Sequence, residues 1–255
     1  MPKIAIRDWP PYSPTDQQRR DNAVIAAKLM VNAALTAPTI GGIPMTEAEI
    51  VYGEEEQESI ARKMEELAHE KSDSYSWKHI FLYEAVMARE VDVILFLGNT
   101  RAYSEPWNGE CGLCAGRPDC SFVYENRTQS AGLIDTTDRR SDTMVKGPLC
   151  AAYGHQLGYN VGSALMTATH LYVDTRPLIT MGIAGQKLGY CRNSAIVVGI
   201  GISARGKPEA SDPAPDYQRV NLVRAIDAIR GNVNQLGVRP ATGVNYRSGD
   251  PMKKR

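Results

Sequence analysis

The chain has 255 residues, 43% of them hydrophobic, enough for one substantial α/β core with an inserted lobe and too little for a second independent domain. Lysine and arginine together number 29, as do aspartate and glutamate, so the formal net charge is zero. That balance excludes a nucleic-acid footprint or a polybasic membrane surface, and the longest apolar runs, residues 91–97 and 195–202, are too short to span a bilayer.

Residues 1–18 are Pro-rich (Trp9-Pro10-Pro11-Tyr12-Ser13-Pro14) and are expected to form an irregular arm lying on the body or on a partner subunit. A helix is predicted from near Asp16 to about Leu35, with Val24, Ala27, Val31 and Ala34 at helical spacing. Pro38 stops it, and the paired Gly41 and Gly42 permit a tight backbone path. A short strand over residues 49–52 precedes an acidic helix over 54–70, whose glutamates favour the positive end of the helix dipole and read as a solvated face. A further helix over 76–89 feeds a strand over 91–97, and this alternation favours an α/β sheet.

Three of the five cysteines then crowd into ten residues, Cys111, Cys114 and Cys120, and Cys150 follows at the start of the next predicted helix. The spacing reads as a four-thiolate metal site. Iron-sulfur clusters and zinc both accept such a shell, and clusters commonly draw three ligands from one loop and the fourth from a distant segment. Gly112, Gly116 and Pro118 bend the loop so that backbone N–H groups can face the sulfurs, which favours a cluster, whereas no second zinc half-site stands near Cys150 or Cys191. A disulfide framework is set aside because the N-terminal sequence builds no apolar signal segment, so the thiols are expected in a reducing cytoplasm. Cys191 is read as a buried inert thiol, and His69, His79, His155 and His170 form no pair at metal spacing.

In a predicted helix over 150–170, Gly154, Gly158 and Gly162 share a face almost without side chains, which requires something to approach the backbone closely: a second helix, a sister subunit or a flat cofactor. Asp174 or Thr175 is expected to cap a second helix, with Pro177 in its first turn and Gly182, Gly185 and Gly189 along it. The last predicted strand, 195–202, leads to Arg205 and Lys207, which flank a glycine where a phosphate could be gripped. Beyond it, residues 217–236 carry Val220, Leu222, Val223, Ile226 and Ile229 on one helical face.

The segments Ala34-Leu35-Thr36-Ala37-Pro38-Thr39, Cys111-Gly-Leu-Cys114, Gly147-Pro148-Leu149-Cys150, residues 157–164 and residues 198–207 together resemble a family of proteins containing a ferredoxin domain, over about residues 20–208. The loop is also similar to C-G-x-C-G-x3-C loops that bind 4Fe-4S clusters, with two departures: five residues before Cys120, and Ala115 after the second thiol. More loosely, the arrangement resembles the FMN-dependent nitroreductases, homodimers that place the flavin between subunits. That likeness implies an α+β sandwich with a cysteine-rich iron-sulfur insertion. It divides the chain into an arm (1–18), a body (19–208) with its cluster loop at about 101–150, and a helical extension with tail (209–255). The ferredoxin-domain resemblance and the cysteine loop imply a 4Fe-4S cluster on Cys111, Cys114, Cys120 and Cys150. The likeness to the nitroreductases implies FMN held by Ala37, Pro38 and Thr39 in the turn, by Gly158 and Gly162, and by the cations Arg19, Arg20, Arg205 and Lys207.

The function so implied is that of an oxidoreductase passing electrons between the cluster and the flavin. A flavin-free carrier docking to a larger redox complex is the alternative, and a zinc-stapled domain is a third. No G-x-G-x-x-G follows a predicted strand, so a nicotinamide donor is not required, and a redox partner protein serves equally well.

Overall fold

The computed structural model describes residues 3–6, 14–71, 76–100, 109–114, 116, 118, 120, 123 and 149–205. Helix α1 runs over Pro14–Leu35, beginning two residues before the expected start near Asp16, and most of the expected arm lies outside the described residues. Its inward line is Ala23, Ala27, Met30 and Ala34, all fully buried, with Val24 and Val31 on its flanks. Lys207 and the expected helix over 217–236 lie outside the described residues.

Four strands, β1 (Thr46–Val51), β2 (Val93–Thr100), β3 (Asp174–Leu178) and β4 (Ser194–Ser203), form one sheet in the order β1-β2-β4-β3. Every neighbouring pair is antiparallel. Helices cover both faces, so the central strands read as almost continuous apolar runs. Val93, Leu95 and Leu97 of β2 face α1 and helix α4 (Ala151–His170), and Ile94 and Phe96 face the other side. That side is packed by α2 (Glu54–His69), α3 (Ser76–Glu90) and α5 (Ile179–Leu188). The result is an α+β sandwich.

One element differs in kind from the sequence reading. Residues 174–178, expected as a capped helix start, form the edge strand β3. Pro177 sits opposite Ile200 on that edge strand, the part of a sheet to which proline is largely confined. The helix begins only at Ile179, and its glycines let it lie on the sheet: a Cβ at Gly182 would stand 2.1 Å from the Val197 carbonyl oxygen. No helix among the described residues is long and apolar enough to cross a membrane.

Candidate functional site

The cysteines gather where β2 ends and α4 begins. Cys150 is the N-cap of α4, and Cys114, Cys120 and Cys150 pack around the buried Val123 while Cys111 stands exposed at the rim. Gly112 and Gly116 take left-handed conformations, φ 68° and 67°, and the Gly116 N–H donates to the Gly112 carbonyl at 2.7 Å, closing the loop on itself. The orphan N–H groups of the first turn of α4 are spent on sulfur. Ala151 donates to Cys114 Sγ at 3.2 Å, and Ala152 and Tyr153 donate to the Cys150 sulfur. Burial pushes the Cys150 thiol up, these N–H bonds pull it down, and the adjacent Cys114 raises it again, leaving it above the ordinary range. A bound cation reverses that balance, because it binds the thiolate.

Among the described residues no group of three or more histidine, cysteine, aspartate or glutamate donors is closed into metal-binding geometry. The donor set nevertheless fits a thiolate-held group: three thiols converge, a fourth stands on the same loop, and three backbone N–H groups already point at sulfur. Two side chains fasten this end of α4 to the body. Asn99 Nδ2 at the end of β2 donates to the Tyr153 carbonyl at 3.2 Å, and the Ile40 N–H donates to Gln156 Oε1 at 2.9 Å. Asn160 Nδ2 reaches the Ala34 carbonyl at 2.6 Å and Thr46 Oγ1 at 3.0 Å. The turn holding Ala37, Pro38 and Thr39 is thereby pinned beside the cysteine end, with Gly41 (φ 64°) and Gly42 (φ 71°) carrying the chain round.

Three of the four expected phosphate-binding cations, those among the described residues, lie elsewhere. Arg19, Arg20 and Arg205 converge on two buried carboxylates, Asp16 in the first turn of α1 and Asp92 just before β2. Arg19 donates to Asp16 Oδ1 through Nε at 3.0 Å and Nη2 at 2.7 Å, and to Asp92 Oδ2 through Nη1. Asp92 also accepts from the Ala204 N–H at 2.8 Å and from Ser203 Oγ at 3.4 Å. Burial works against the Arg19 charge, but the hydrogen bonds to Asp92 and Asp16 outweigh it and hold its pKa above the usual value.

These two groups occupy opposite ends of the sheet. From Arg19 to Leu35 the helix rises about 24 Å, and β2 covers a similar span between Asp92 and Asn99. One chain therefore brings Ala37, Pro38 and Thr39 close to the cysteines and keeps Arg19, Arg20 and Arg205 away from them. Gly154, Gly158 and Gly162 line the exposed face of α4, where an added Cβ would meet nothing within 4 Å. Cys191 is fully buried in the core on the far face of the sheet, and burial, followed by Glu47 and Glu49, pushes its thiol up to about 12, so it stays protonated. His79 is buried, and His69, His155 and His170 are exposed.

Asp16, Asp92, Gln156 and Asn160 escaped the sequence reading. Asp92 and Asp16 stand 76 positions apart, and no local pattern marks either as a partner of arginine. Gln156 and Asn160 lie four residues apart on one helix face, a spacing that marks a polar stripe without saying what it meets.

A curated relative, an uncharacterized protein of Archaeoglobus fulgidus, is 33% identical over 197 residues, covering 77% of this chain and 95% of its own length. The family model described as uncharacterized proteins containing a ferredoxin domain (DUF2148) matches residues 146–209, the stretch from Cys150 to beyond Arg205. The chain belongs to this ferredoxin-domain family. Solved structures similar to this family member include a nitroreductase with bound FMN from Bacteroides fragilis, 12% identical, covering 80% of this chain and 82% of that one with a TM-score of 0.43. Another is a nitroreductase with bound FMN from Desulfitobacterium hafniense, 11% identical, covering 84% and 89%, with a TM-score of 0.43. At these scores the likenesses carry no argument about the chemistry of the ferredoxin-domain protein.

Proposed function

We propose that this ferredoxin-domain protein is an iron-sulfur redox protein whose 4Fe-4S cluster is held by Cys111, Cys114, Cys120 and Cys150. The observation that carries this is the first turn of α4, where Cys150 caps the helix and the N–H groups of Ala151, Ala152 and Tyr153 are committed to the sulfurs of Cys114 and Cys150. Such donors stabilise negative charge on thiolates, and the positive end of the α4 dipole acts in the same direction. When bound, the cluster supplies one-electron transfer. The protein's own part is to hold the ligands, to exclude water with Val123, and to fix the neighbouring turn through Gln156 and Asn160.

The finer reading is an oxidoreductase that exchanges those electrons with FMN. The turn at Ala37, Pro38 and Thr39 is the place where a flavin would come near the cysteines, whereas the arginines are about 24 Å away along α1. Two copies of the chain are needed for one FMN to touch both groups, and the open glycine face of α4 supports a homodimer. One observation favours the flavin-free electron carrier instead: Arg19 is already committed to Asp16 and Asp92 within the chain.

Anaerobic purification with a visible spectrum and assays for iron, sulfide, zinc and flavin separates these readings. About four iron and four sulfide per chain with released FMN is expected for the oxidoreductase. Iron without flavin assigns the carrier, and zinc alone refutes the redox reading.

A further inference from the structure

The four cysteines of the site are not held alike. Cys150 is the N-cap of α4, and the helix that carries it is fixed by Asn99, bonded to the Tyr153 carbonyl, and by the Ile40 N–H, bonded to Gln156. Cys114 lies against it, with its Sγ accepting the Ala151 N–H at 3.2 Å. Cys120 is tied through its carbonyl, which accepts the Val123 N–H at 3.0 Å, and Val123 packs against all three of these thiols. Cys111 has none of these holds. It is exposed, and among the described residues no N–H group donates to its sulfur. The backbone on both sides of it is left-handed, Glu110 at φ 45° and Gly112 at φ 68°. Glycine takes that conformation freely, whereas glutamate takes it at a cost that the exposed Glu110 side chain does not offset by packing. Glu110 therefore gains by leaving that conformation, a freedom that Cys150, fixed at a helix cap, does not have.

How firmly a thiolate keeps its iron depends on what else stabilises and shields it. N–H groups aimed at sulfur favour the bound thiolate, and burial keeps water from the metal. An exposed sulfur is open to oxidants, and its iron is open to hydrolysis. On this donor set three corners of a cluster are anchored to the folded body, and the corner at Cys111 is not.

We propose that the iron held by Cys111 is the exchangeable corner of the cluster, released on one-electron oxidation and open to an external anionic donor such as a small thiolate. The proposal rests on the iron-sulfur reading and adds a ligand-binding position to it. With an outer-sphere one-electron oxidant, a dicationic 4Fe-4S core gives one electron to the oxidant and one ferrous ion to the solvent. A monocationic 3Fe-4S core remains on Cys114, Cys120 and Cys150, and the freed Cys111 sulfur takes a proton from water. The reverse step consumes one electron and one ferrous ion, and the returning iron takes either Cys111 or the external thiolate as its outer ligand. An iron with a replaceable protein ligand binds a substrate directly, which a cluster closed by four buried thiolates does not.

The test uses full-length protein purified without oxygen, as wild type, Cys111→Ala and Cys114→Ser, with ferricyanide as the oxidant and 2-mercaptoethanol as the external thiolate. Oxidised wild type is expected to lose about one iron in four with its sulfide retained, and to show the electron paramagnetic resonance signal of an oxidised 3Fe-4S core. After removal of the oxidant, iodoacetamide should label Cys111 and spare Cys114, Cys120 and Cys150, as read by mass spectrometry of the peptides. Cys111→Ala is expected to hold about three-quarters of the wild-type iron as purified, and to regain the rest with dithionite, ferrous iron and 2-mercaptoethanol. Cys114→Ser is expected to hold almost none. Full retention of iron by oxidised wild type, loss of iron and sulfide together, or labelling at Cys114, Cys120 or Cys150 overturns the proposal while the iron-sulfur reading stands. A Cys111→Ala protein that keeps the wild-type circular dichroism yet holds no iron overturns it too. Wild type without iron and sulfide overturns the iron-sulfur reading and the proposal with it.

Discussion

Replacing Asp92 by Asn tests whether the arginine end of the molecule is an electrostatic clamp. Asp92 is 2% exposed and joins three parts of the chain: Arg19 of α1, the start of β2, and the end of β4 through Ser203, the Ala204 N–H and Arg205 Nε at 3.7 Å. Asparagine preserves the shape and still accepts the Ala204 N–H. It removes the charge, leaving Arg19, 4% exposed, with Asp16 as its remaining carboxylate. Breaking a buried pair from one side costs about 3–5 kcal/mol, because the surviving charge stays desolvated. In a chain of this size each kcal/mol moves the melting temperature by about 2–4 °C, so a loss of roughly 6–20 °C is expected by circular dichroism. Since the pair is buried, the wild-type midpoint should hardly change between 0.05 and about 1 M salt, ionic strengths at which exposed pairs are screened. A loss under about 2 °C, or a comparable loss in wild type on adding salt, would refute the argument that desolvated charge holds α1 to the sheet.

Cys114→Ser is expected to lower iron and sulfide to near background, and Cys191→Ser to leave both unchanged, because the Cys191 thiol is buried on the other face of the sheet and protonated; equal iron loss in both variants sinks the ligand assignment. Hydrogen bonds from Arg89 and then Arg62 hold the Glu58 carboxyl down to about 2, so its contribution is complete above its ordinary value of 4.5 and is lost as pH falls toward 2. Glu58→Gln should therefore melt earlier than wild type at pH 6 and coincide with it near pH 2, and a gap that persists at low pH contradicts the pairing. Asn160→Ala frees the Ala34 carbonyl and Thr46 Oγ1 and should cost about 1–3 kcal/mol in urea unfolding. Gly182→Ala drives a methyl group into the Val197 carbonyl and should cost about 3 kcal/mol or more; a neutral result would mean that α5 lies farther from β4 than 2.1 Å implies.

Local pattern determined a good deal of this protein. The bounds of α2, α3 and α4 were legible to within a residue or so, because the apolar spacing of each helix and the acidic first turn of α2 are properties of a few consecutive positions. The strands β2 and β4 were legible as apolar runs, since both faces of the sheet are covered. Cys150 was expected at the start of a helix, and it stands there as the N-cap of α4. The edge strand β3 was not legible, because Asp174, Thr175 and Pro177 are as good a helix start as an edge strand, and only pairing with β4 decides between them.

The site depended still more on long-range structure. The sequence grouped the turn at Ala37 to Thr39 with Arg19, Arg20 and Arg205 as contacts of one ligand. The antiparallel sheet sends them to opposite ends of the same layer, about 24 Å apart along α1. Likewise the arginines read as free cations until the fold brought Asp16 and Asp92 against them. Spacing along the chain fixes which donors can share a helix face or a loop, which is why it could nominate the four cysteines together. Which charge meets which partner depends on residues far apart in sequence, and only the packing of α1 and β4 around Asp92 decided it.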